Sequence, residues 1–221
     1  LINMLYNIVD RIYIARIPGV GTAALGAVGL CFPIIVIITA FSNLFGTGGA
    51  PLFSIARGRK DPEQAGMLLN TAFFLLSVCA LVLMAVGLAF ARPILVLFGA
   101  SDSALIYAYP YLMIYLLGTF PSMLTTGMNP FINAQGYSTT GMLSVVIGAA
   151  ANLILDPVFI FIFRLGAPGA AIATIISQFL SASFVLHFLR KKAEFKIRFL
   201  TPEEIRHCGS CAANIVSLGT A

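Results

Sequence analysis

Charged residues are scarce in this sequence of 221 residues, and tryptophan is absent. Asp, Glu, Lys and Arg make up 10% of the chain, whereas about 25% is usual for a soluble domain. Such a chain cannot build a water-facing surface of ordinary composition. The shortage of charge therefore excludes an ordinary soluble globular domain. Hydrophobic residues make up 59% of the chain and need an environment other than water.

The few charges are also missing from four long stretches. These stretches lie between Arg16 and Arg57, between Glu63 and Arg92, between Asp102 and Asp156, and between Arg164 and Arg190. A membrane-spanning helix needs about 20 mostly apolar residues. The stretches accommodate one, one, two and one such helices, and the apolar start of the chain supplies a further one.

The pattern predicts an all-α, polytopic transmembrane bundle. The predicted helices are Leu1–Ile17, Ala23–Phe45 with a continuation toward Ile55, Ala65–Phe90, Leu105–Met128, Met142–Phe163 and Ala170–Leu189. Proline and glycine place the connections, because proline lacks the N–H that a helix interior needs. The predicted connections are Pro18–Gly21, Arg57–Pro62, Arg92–Pro93 together with Gly99–Ser103, Pro130–Gly141 and Arg164–Gly169.

The chain divides into three predicted regions. We expect residues 1–190 to form a transmembrane lobe, 191–211 a linker with a short surface helix opened by Thr201 and Pro202, and 212–221 the start of helix seven. The chain begins without Met inside an apolar stretch and ends inside another. We therefore expect a fragment cut at both ends, with a complete small membrane protein as the alternative.

Basic residues indicate the orientation and the location. The loop after helix two carries three basic residues and the linker after helix six carries six, and four helices separate the two loops. By the positive-inside rule both lie in the cytoplasm, so the protein is predicted to be integral to the cell membrane. The same rule explains the net charge of +5 without any nucleic-acid partner.

Two carboxylates within predicted helices are the main candidates for function. Charged groups inside a membrane cost at least about 2.5 kcal/mol each and usually mark functional sites. Asp10 and Asp156 both lie near the predicted outer ends of their helices, and Thr174 and Tyr111 lie at the same level. All four are about 10–12 Å below the outer boundary at 1.5 Å per residue. This common level predicts a buried polar site between helices.

Local spacing supports this site and indicates its chemistry. Asn152 precedes Asp156 by four residues and shares its helix face. Pro157 disturbs the helix next to Asp156, as in the broken helices of transporters. Carboxylate, amide and hydroxyl oxygens suit Na⁺ or a proton, and no other cofactor is expected. Asp10 also has a structural alternative, which is a pair with Arg11 or Arg16.

Motifs of other functional classes are missing. The chain has no Walker loop, no H-E-x-x-H and no G-x-S-x-G, so we predict that it is not an enzyme. Cys208 and Cys211 form a lone C-x-x-C pair beside His207, without the second pair of ligands that a zinc site needs. The glycine-rich Gly46–Gly49 indicates close helix packing rather than a phosphate cradle.

The order of short motifs resembles the amino-terminal half of the multidrug and toxic compound extrusion (MATE) transporters. The motifs are Tyr6–Asp10 with Arg16 and Pro18–Gly19, Ala27–Leu30, Gly48–Pro51 with Gly58–Lys60, Asn133–Gly136, Asn152–Pro157 and Gly166–Thr174. Each motif is weak alone, but their order and spacing together are specific and cover nearly the whole chain.

The resemblance implies twelve helices in two lobes, of which this chain is the first six-helix lobe. Family members export organic, often cationic compounds in exchange for Na⁺ or H⁺. A cation or proton site would use Asp10, Asn152, Asp156 and Thr174, and Tyr6, Tyr111 and Asn129 would line the substrate cavity. The implied partners are small organic cations, membrane lipids and the missing second lobe. Bending of helix one is left open, because its start is missing.

Two other functions remain as alternatives. A lipid-linked saccharide flippase of the same superfamily would need basic residues at mid-depth, and the predicted helices have none there. A membrane-embedded enzyme would need a carboxylate cluster with metal-ligand spacing or a His–Asp pair, and no His shares the depth of the two Asp residues. The sequence therefore favours the exporter.

Overall fold

The computed structural model describes residues 10–198, 200, 204 and 208–220, which are helical almost throughout. We number the helices α1 (residues 10–15), α2 (Gly21–Gly58), α3 (Pro62–Leu97), α4 (Asp102–Leu117), α5 (Thr119–Ala134), α6 (Ser138–Pro157), α7 (Ala167–Lys191) and α8 (Gly209–Gly219). A π-helical turn, Val158–Ile162, follows α6. None of the described residues forms a strand, and the predicted all-α class is confirmed.

Long apolar helices dominate the fold. Four segments are long and apolar enough to cross a membrane, namely α2, α3, α6 with its π-helical turn, and α7, and the bent pair α4–α5 makes a fifth. Large apolar side chains such as Leu97 and Ile154 are more than half exposed, as expected for surfaces that face lipid. Most of the predicted first helix, Leu1–Ile17, falls in residues 1–9, outside the described part.

Helices α2 and α3 are longer than predicted. α2 contains 38 residues and α3 contains 36, so each is about 55 Å long and exceeds the roughly 30 Å hydrocarbon core. The predicted connection at Arg92–Pro93 is wrong, because α3 continues through Pro93 to Leu97. Proline removes one hydrogen bond near the end of this helix, and the turns on either side are retained.

Predicted helix four is divided into two helices, which together pass as one bent candidate span. α4 and α5 are bent by 55° at Gly118, whose backbone N–H donates to the carbonyl of Tyr115 and so caps the end of α4. Neither Pro110 nor Pro121 causes the break. Pro121 lies in the first turn of α5, where a missing N–H costs little. The predicted start of the next turn at Pro130 is also wrong, since α5 runs through Pro130 to Ala134.

The remaining helices end close to their predicted boundaries. The disturbance expected at Pro157 is present as the π-helical turn, which replaces regular α-helix after Asp156. α7 extends beyond the predicted Ala170–Leu189 at both ends, and α8 begins at Gly209 rather than at Ala212. The surface helix predicted after Thr201 lies mostly outside the described residues.

The chain packs as two compact units. The first contains the segments up to Ile37, Val82–Thr119 and Val145–Ser181, and the second contains Ile38–Leu81, Phe120–Ser144 and the segments from Ala182 onward. The first is built around small and aliphatic residues such as Ala27 and Leu112, and the second around larger side chains such as Phe53 and Phe131. Both candidate carboxylates belong to the first unit.

In the second unit, the segment after α7 is bound to the helices. The Phe195 N–H donates to Oε1 of Gln135 over 2.9 Å, and the Arg198 N–H donates to Oδ1 of Asn70 over 2.8 Å. The Phe195 ring packs edge-on against Phe53, with ring centroids 5.2 Å apart. We call residues Ala193–Arg198 the strap, because side-chain amides hold its backbone.

Candidate functional site

The end of α6 carries a buried amide and a buried carboxylate one helical turn apart. Asp156 is completely buried and Asn152 is 2% exposed. Nδ2 of Asn152 donates a hydrogen bond to Oδ1 of Asp156 over 3.1 Å. Because Pro157 and the π-helical turn follow at once, this polar pair lies where the regular helix ends. The predicted pairing across one face of the helix is present.

Thr174 on α7 completes a polar contact between two helices. Nδ2 of Asn152 lies 3.3 Å from Oγ1 of Thr174, and this hydroxyl donates to the carbonyl of Ala170 over 2.9 Å. The hydroxyl proton is thus used within α7, and the oxygen accepts from Asn152. The structure therefore brings together Asn152, Asp156 and Thr174, three of the four residues predicted to bind a cation or proton.

Asp10, the fourth predicted residue, lies on α1 and is 9% exposed. It is close enough to Asp156 for the two charges to interact. The guanidinium of Arg11 is held over the Phe32 ring, 5.2 Å from its centroid. Within the described part of the chain, neither Arg11 nor Arg16 forms an ion pair with Asp10. The charge of Arg11 nevertheless acts on Asp10, so the structural alternative of an Asp10–Arg11 pairing stays open.

The site contains more acceptor oxygens than donors. Oδ1 of Asp10, Oδ1 of Asn152 and Oδ2 of Asp156 are buried without a hydrogen-bond partner. Buried acceptors without partners are costly, and a bound cation or a proton would satisfy them. Oxygen ligands of this kind suit a hard cation such as Na⁺. No group of three or more His, Cys, Asp or Glu residues among those described could hold a metal ion.

Tyr111 on α4 lies beside this site. It is 3% exposed, and both Asp10 and Asp156 are within electrostatic range of its hydroxyl. Its ring stacks on Tyr115 with centroids 6.1 Å apart and planes 18° apart. The sequence analysis missed Tyr115, although its spacing of four residues from Tyr111 could have indicated a shared helix face.

The other two predicted cavity residues have different outcomes. Tyr6 lies outside the described residues. Asn129 on α5 belongs to the second unit, where its Nδ2 donates to the Gly141 carbonyl and to Ser144 Oγ, both at 3.0 Å. These contacts join α5 to α6. A role of Asn129 in lining a substrate cavity remains a prediction.

Two further buried polar groups in the first unit were not predicted. Oγ1 of Thr119 and Oε1 of Gln178 are buried without hydrogen-bond partners. Gln178 lies one turn beyond Thr174 on α7, which is a spacing that could have identified it. The sequence analysis overlooked both residues because neither carries a charge.

Long apolar helices around buried carboxylates define a polytopic membrane protein with a polar site among its helices. The sequence profile of the MatE family matches residues 1–158. The chain therefore belongs to the MatE family, and the predicted resemblance is confirmed.

Named relatives are exporters and transporters. The "Multidrug export protein MepA" of Staphylococcus haemolyticus is 28% identical over 205 residues, covering 91% of this chain and 45% of that protein. The "FAD transporter" of Shewanella oneidensis is 28% identical over 202 residues, covering 87% of this chain and 44% of that protein. The chain thus spans about half the length of the curated relatives that it matches.

Solved structures show the same relation. An inward-facing multidrug resistance MATE family transporter matches with a TM-score of 0.88 and 26% identity, over 98% of this chain and 48% of that chain. An outward-facing structure of such a transporter matches with a TM-score of 0.88 and 25% identity, over 99% and 48%. The two matches have the same TM-score.

Proposed function

We propose that this chain forms the amino-terminal lobe of a cation-coupled antiporter that exports organic, mainly cationic compounds. One observation carries the proposal. Asp10 and Asp156 are both buried within the first unit, whereas each described Arg and Lys side chain is exposed or half-buried. The buried carboxyl groups of the described residues therefore have no buried basic partner, and a cation or a proton from outside the lobe would neutralise them.

The coupling ion would bind at Asp10, Asn152, Asp156 and Thr174. Asn152 holds one oxygen of Asp156 and contacts Thr174, which keeps α6 and α7 in a fixed relation at this level. A Na⁺ ion or a proton would remove the repulsion between the two carboxylates and stabilise their approach. Such an ion shifts the protein toward the conformation in which the carboxylates lie together.

Transport of the substrate in exchange for the coupling ion follows if the two favour different conformations of the protein. The chain matches inward-facing and outward-facing relatives with equal TM-scores, so a lobe of this fold is present in both conformations of those relatives. The transporter would then alternate by movement of one lobe against the other. The first lobe contributes the ion site, and the second lobe, together with this one, would enclose the substrate.

The charge of the buried side chains and the names of the relatives both bear on the class of substrate. The names of the relatives include multidrug export and FAD transport. FAD is anionic, and an excess of buried carboxylates over buried basic groups disfavours an anion. We therefore favour organic cations. By the positive-inside rule, the protein would lie in the cell membrane with the strap on the cytoplasmic side.

The test uses the full-length protein in everted membrane vesicles, with ethidium as the transported dye and an imposed H⁺ or Na⁺ gradient. Asp156→Asn and Asp10→Asn should each reduce gradient-driven transport at least about tenfold, because a neutral amide cannot exchange a proton or balance a cation. Asp102→Asn is the matched control, since this carboxylate is exposed at the start of α4. The gradient that drives transport identifies the ion.

Two outcomes would contradict the proposal. Unchanged transport in both buried-carboxylate variants would remove this site from the coupling mechanism and point to the second lobe. Failure of the wild type to move dye under either gradient would shift support to the flippase alternative.

A further inference from the structure

The end of α2 is joined to the strap by one arginine. Nη2 of Arg57 lies 2.7 Å from Oε2 of Glu194, and Nη1 of Arg57 donates to the carbonyl of Ala134 at the end of α5 over 3.1 Å. This ion pair brings the loop after α2 next to the end of α7 and the strap, all within the second unit. Exposed basic residues lie close to both partners along the chain, and we call four of them the basic patch, namely Arg59, Lys60, Lys192 and Lys196.

The strap fixes the outward direction of its part of the basic patch. Ala193 and Ile197 are buried, whereas Lys196 between them is exposed. The backbone of the strap is bonded to Gln135 and Asn70, which are both 3% exposed. Turning Lys196 inward would break these bonds and expose Ile197. The positive charge of Lys196 is therefore held at the surface.

The basic patch has little acidic compensation. In the part of the chain that the structure describes, the ion pairs use other basic residues and none of these four. Asp61 and Glu63 follow the loop at the start of α3, where Oδ1 of Asp61 accepts from the N–H of Gln64 over 3.0 Å. Carboxylates in this position are stabilised by the positive end of the helix dipole. The four basic side chains outnumber these two carboxylates, so the surface stays positively charged.

An apolar surface adjoins the basic patch. The N–H of Arg59 donates to the carbonyl of Ile55 over 3.0 Å, so Arg59 continues the turn of α2 that contains Ile55. The side chain of Ile55 is 52% exposed. Residues four apart share a helix face, so an apolar chain in contact with Ile55 would place its head group beside Arg59. A phospholipid can use both surfaces, whereas a free phosphate ion can use only the basic one.

We propose that the basic patch binds the phosphate of an anionic phospholipid, with an acyl chain along Ile55. Lys and Arg side chains can lie along apolar surface and place their charge at the level of the head groups. Basic residues beside a membrane attract anionic lipids. The bound lipid would join the loop after α2 to the strap. The inference uses the proposed position of the strap at the membrane surface, and it does not depend on the proposed export.

Thermal melting of the purified full-length protein in a neutral detergent tests the ligand. Dioleoylphosphatidylglycerol should raise the melting temperature to a saturating value, because a ligand of the folded state stabilises it. Dioleoylphosphatidylcholine has the same acyl chains without net charge and should raise it far less. Glycerol phosphate has the phosphate without acyl chains and should leave it unchanged. A shift as large with either of these two compounds as with phosphatidylglycerol would overturn the proposal.

A double variant tests the residues. Arg59→Gln combined with Lys196→Gln removes one basic residue on each side of the ion pair. The phosphatidylglycerol concentration for half of the melting shift should rise at least about tenfold. Arg92→Gln combined with Arg164→Gln is the matched control, because it removes the same charge from exposed positions outside the basic patch. An equal rise in both double variants would show a response to net charge alone and would overturn the proposed site.

The melting assay requires neither a transported dye nor a coupling ion. A protein that moves no dye but prefers phosphatidylglycerol would retain the lipid site and lose the proposed export. A protein that moves dye and melts alike in both lipids would retain the proposed export and lose the lipid site.

Discussion

Asn152 donates a hydrogen bond to Asp156 from one turn earlier on α6, over 3.1 Å between Nδ2 and Oδ1. The donor side of the amide is thereby used within the site, and Oδ1 of Asn152 and Oδ2 of Asp156 have no partner. An amide in this orientation presents acceptors and withholds donors. These two acceptor oxygens without partners are what the proposed coupling ion requires.

We predict that Asn152→Ala weakens binding of the coupling ion. The carboxylate of Asp156 would lose the donor that orients it, and a hydrogen bond to a charged group is worth about 1.5–3 kcal/mol. The coupling-ion concentration for half-maximal transport should rise at least about tenfold. Titration of transport against Na⁺ or pH in vesicles measures this. Asn43→Ala, at an exposed position of α2, is the control, and an equal response of both variants would contradict the assignment.

Thr174 provides a second test in which the hydroxyl and the methyl group are separated. Thr174→Val removes the oxygen that accepts from Asn152, whereas Thr174→Ser retains it. We expect the valine variant to need about three- to tenfold more coupling ion, in line with the loss of one buried hydrogen bond, and the serine variant to resemble the wild type.

The matched control for this test is Ser177→Ala on the same helix, because the hydroxyl of Ser177 is buried and donates to the carbonyl of Ala173. If both Thr174 variants transported with unchanged ion dependence, Thr174 would serve only to pack α7 against α6.

The long apolar helices could be predicted because charge-free runs of sufficient length have few alternatives to spanning a membrane. The break between α4 and α5 at Gly118 could not be predicted in this way. Proline was the stronger sequence signal, yet Pro110 and Pro121 are both inside helices. Gly118 has φ −83° and ψ −2°, which any residue can adopt, so its role depends on tertiary contacts that a single sequence does not reveal.

The site was predictable where it depends on local spacing or on charge. Asn152 and Asp156 share a face by their spacing of four residues, and the contact with Thr174 agrees with the common depth of these groups. Uncharged polar groups such as Gln178 were missed, because an isolated amide in an apolar helix is as often structural as functional.

The strap supports a prediction about the chain after α7. Asn70→Ala removes the acceptor for the Arg198 N–H, which should cost about 1 kcal/mol and loosen the strap. Limited trypsin digestion of the purified protein should then cut after Lys196 and Arg198 about fivefold faster. Cleavage after Arg59 and Lys60, in the loop that follows α2, provides an internal reference.

Glu194→Gln is the control for the strap. Its ion pair with Arg57 is 2.7 Å long but about half exposed, so its loss should change cleavage little. Equal digestion of the Asn70 variant and the wild type would mean that the ring of Phe195, packed against Phe53, holds the strap without the amide.

The last prediction concerns the bend between α4 and α5. A Cβ atom on Gly118 would overlap Oε1 of Gln178 and lie 2.9 Å from Cγ1 of Ile175, both on α7. Gly118→Ala should therefore destabilise the protein by about 1–3 kcal/mol through overpacking.

Gln178→Ala frees the space, so the double variant should melt closer to the wild type than Gly118→Ala alone. Thermal melting of the four proteins in detergent gives the coupling energy, with Gly29→Ala, where a Cβ atom meets nothing within 4 Å, as the control. Simple additivity of the two substitutions would show that Gln178 does not restrict Gly118, and that Ile175 or the backbone of α4 alone keeps this position free of a side chain.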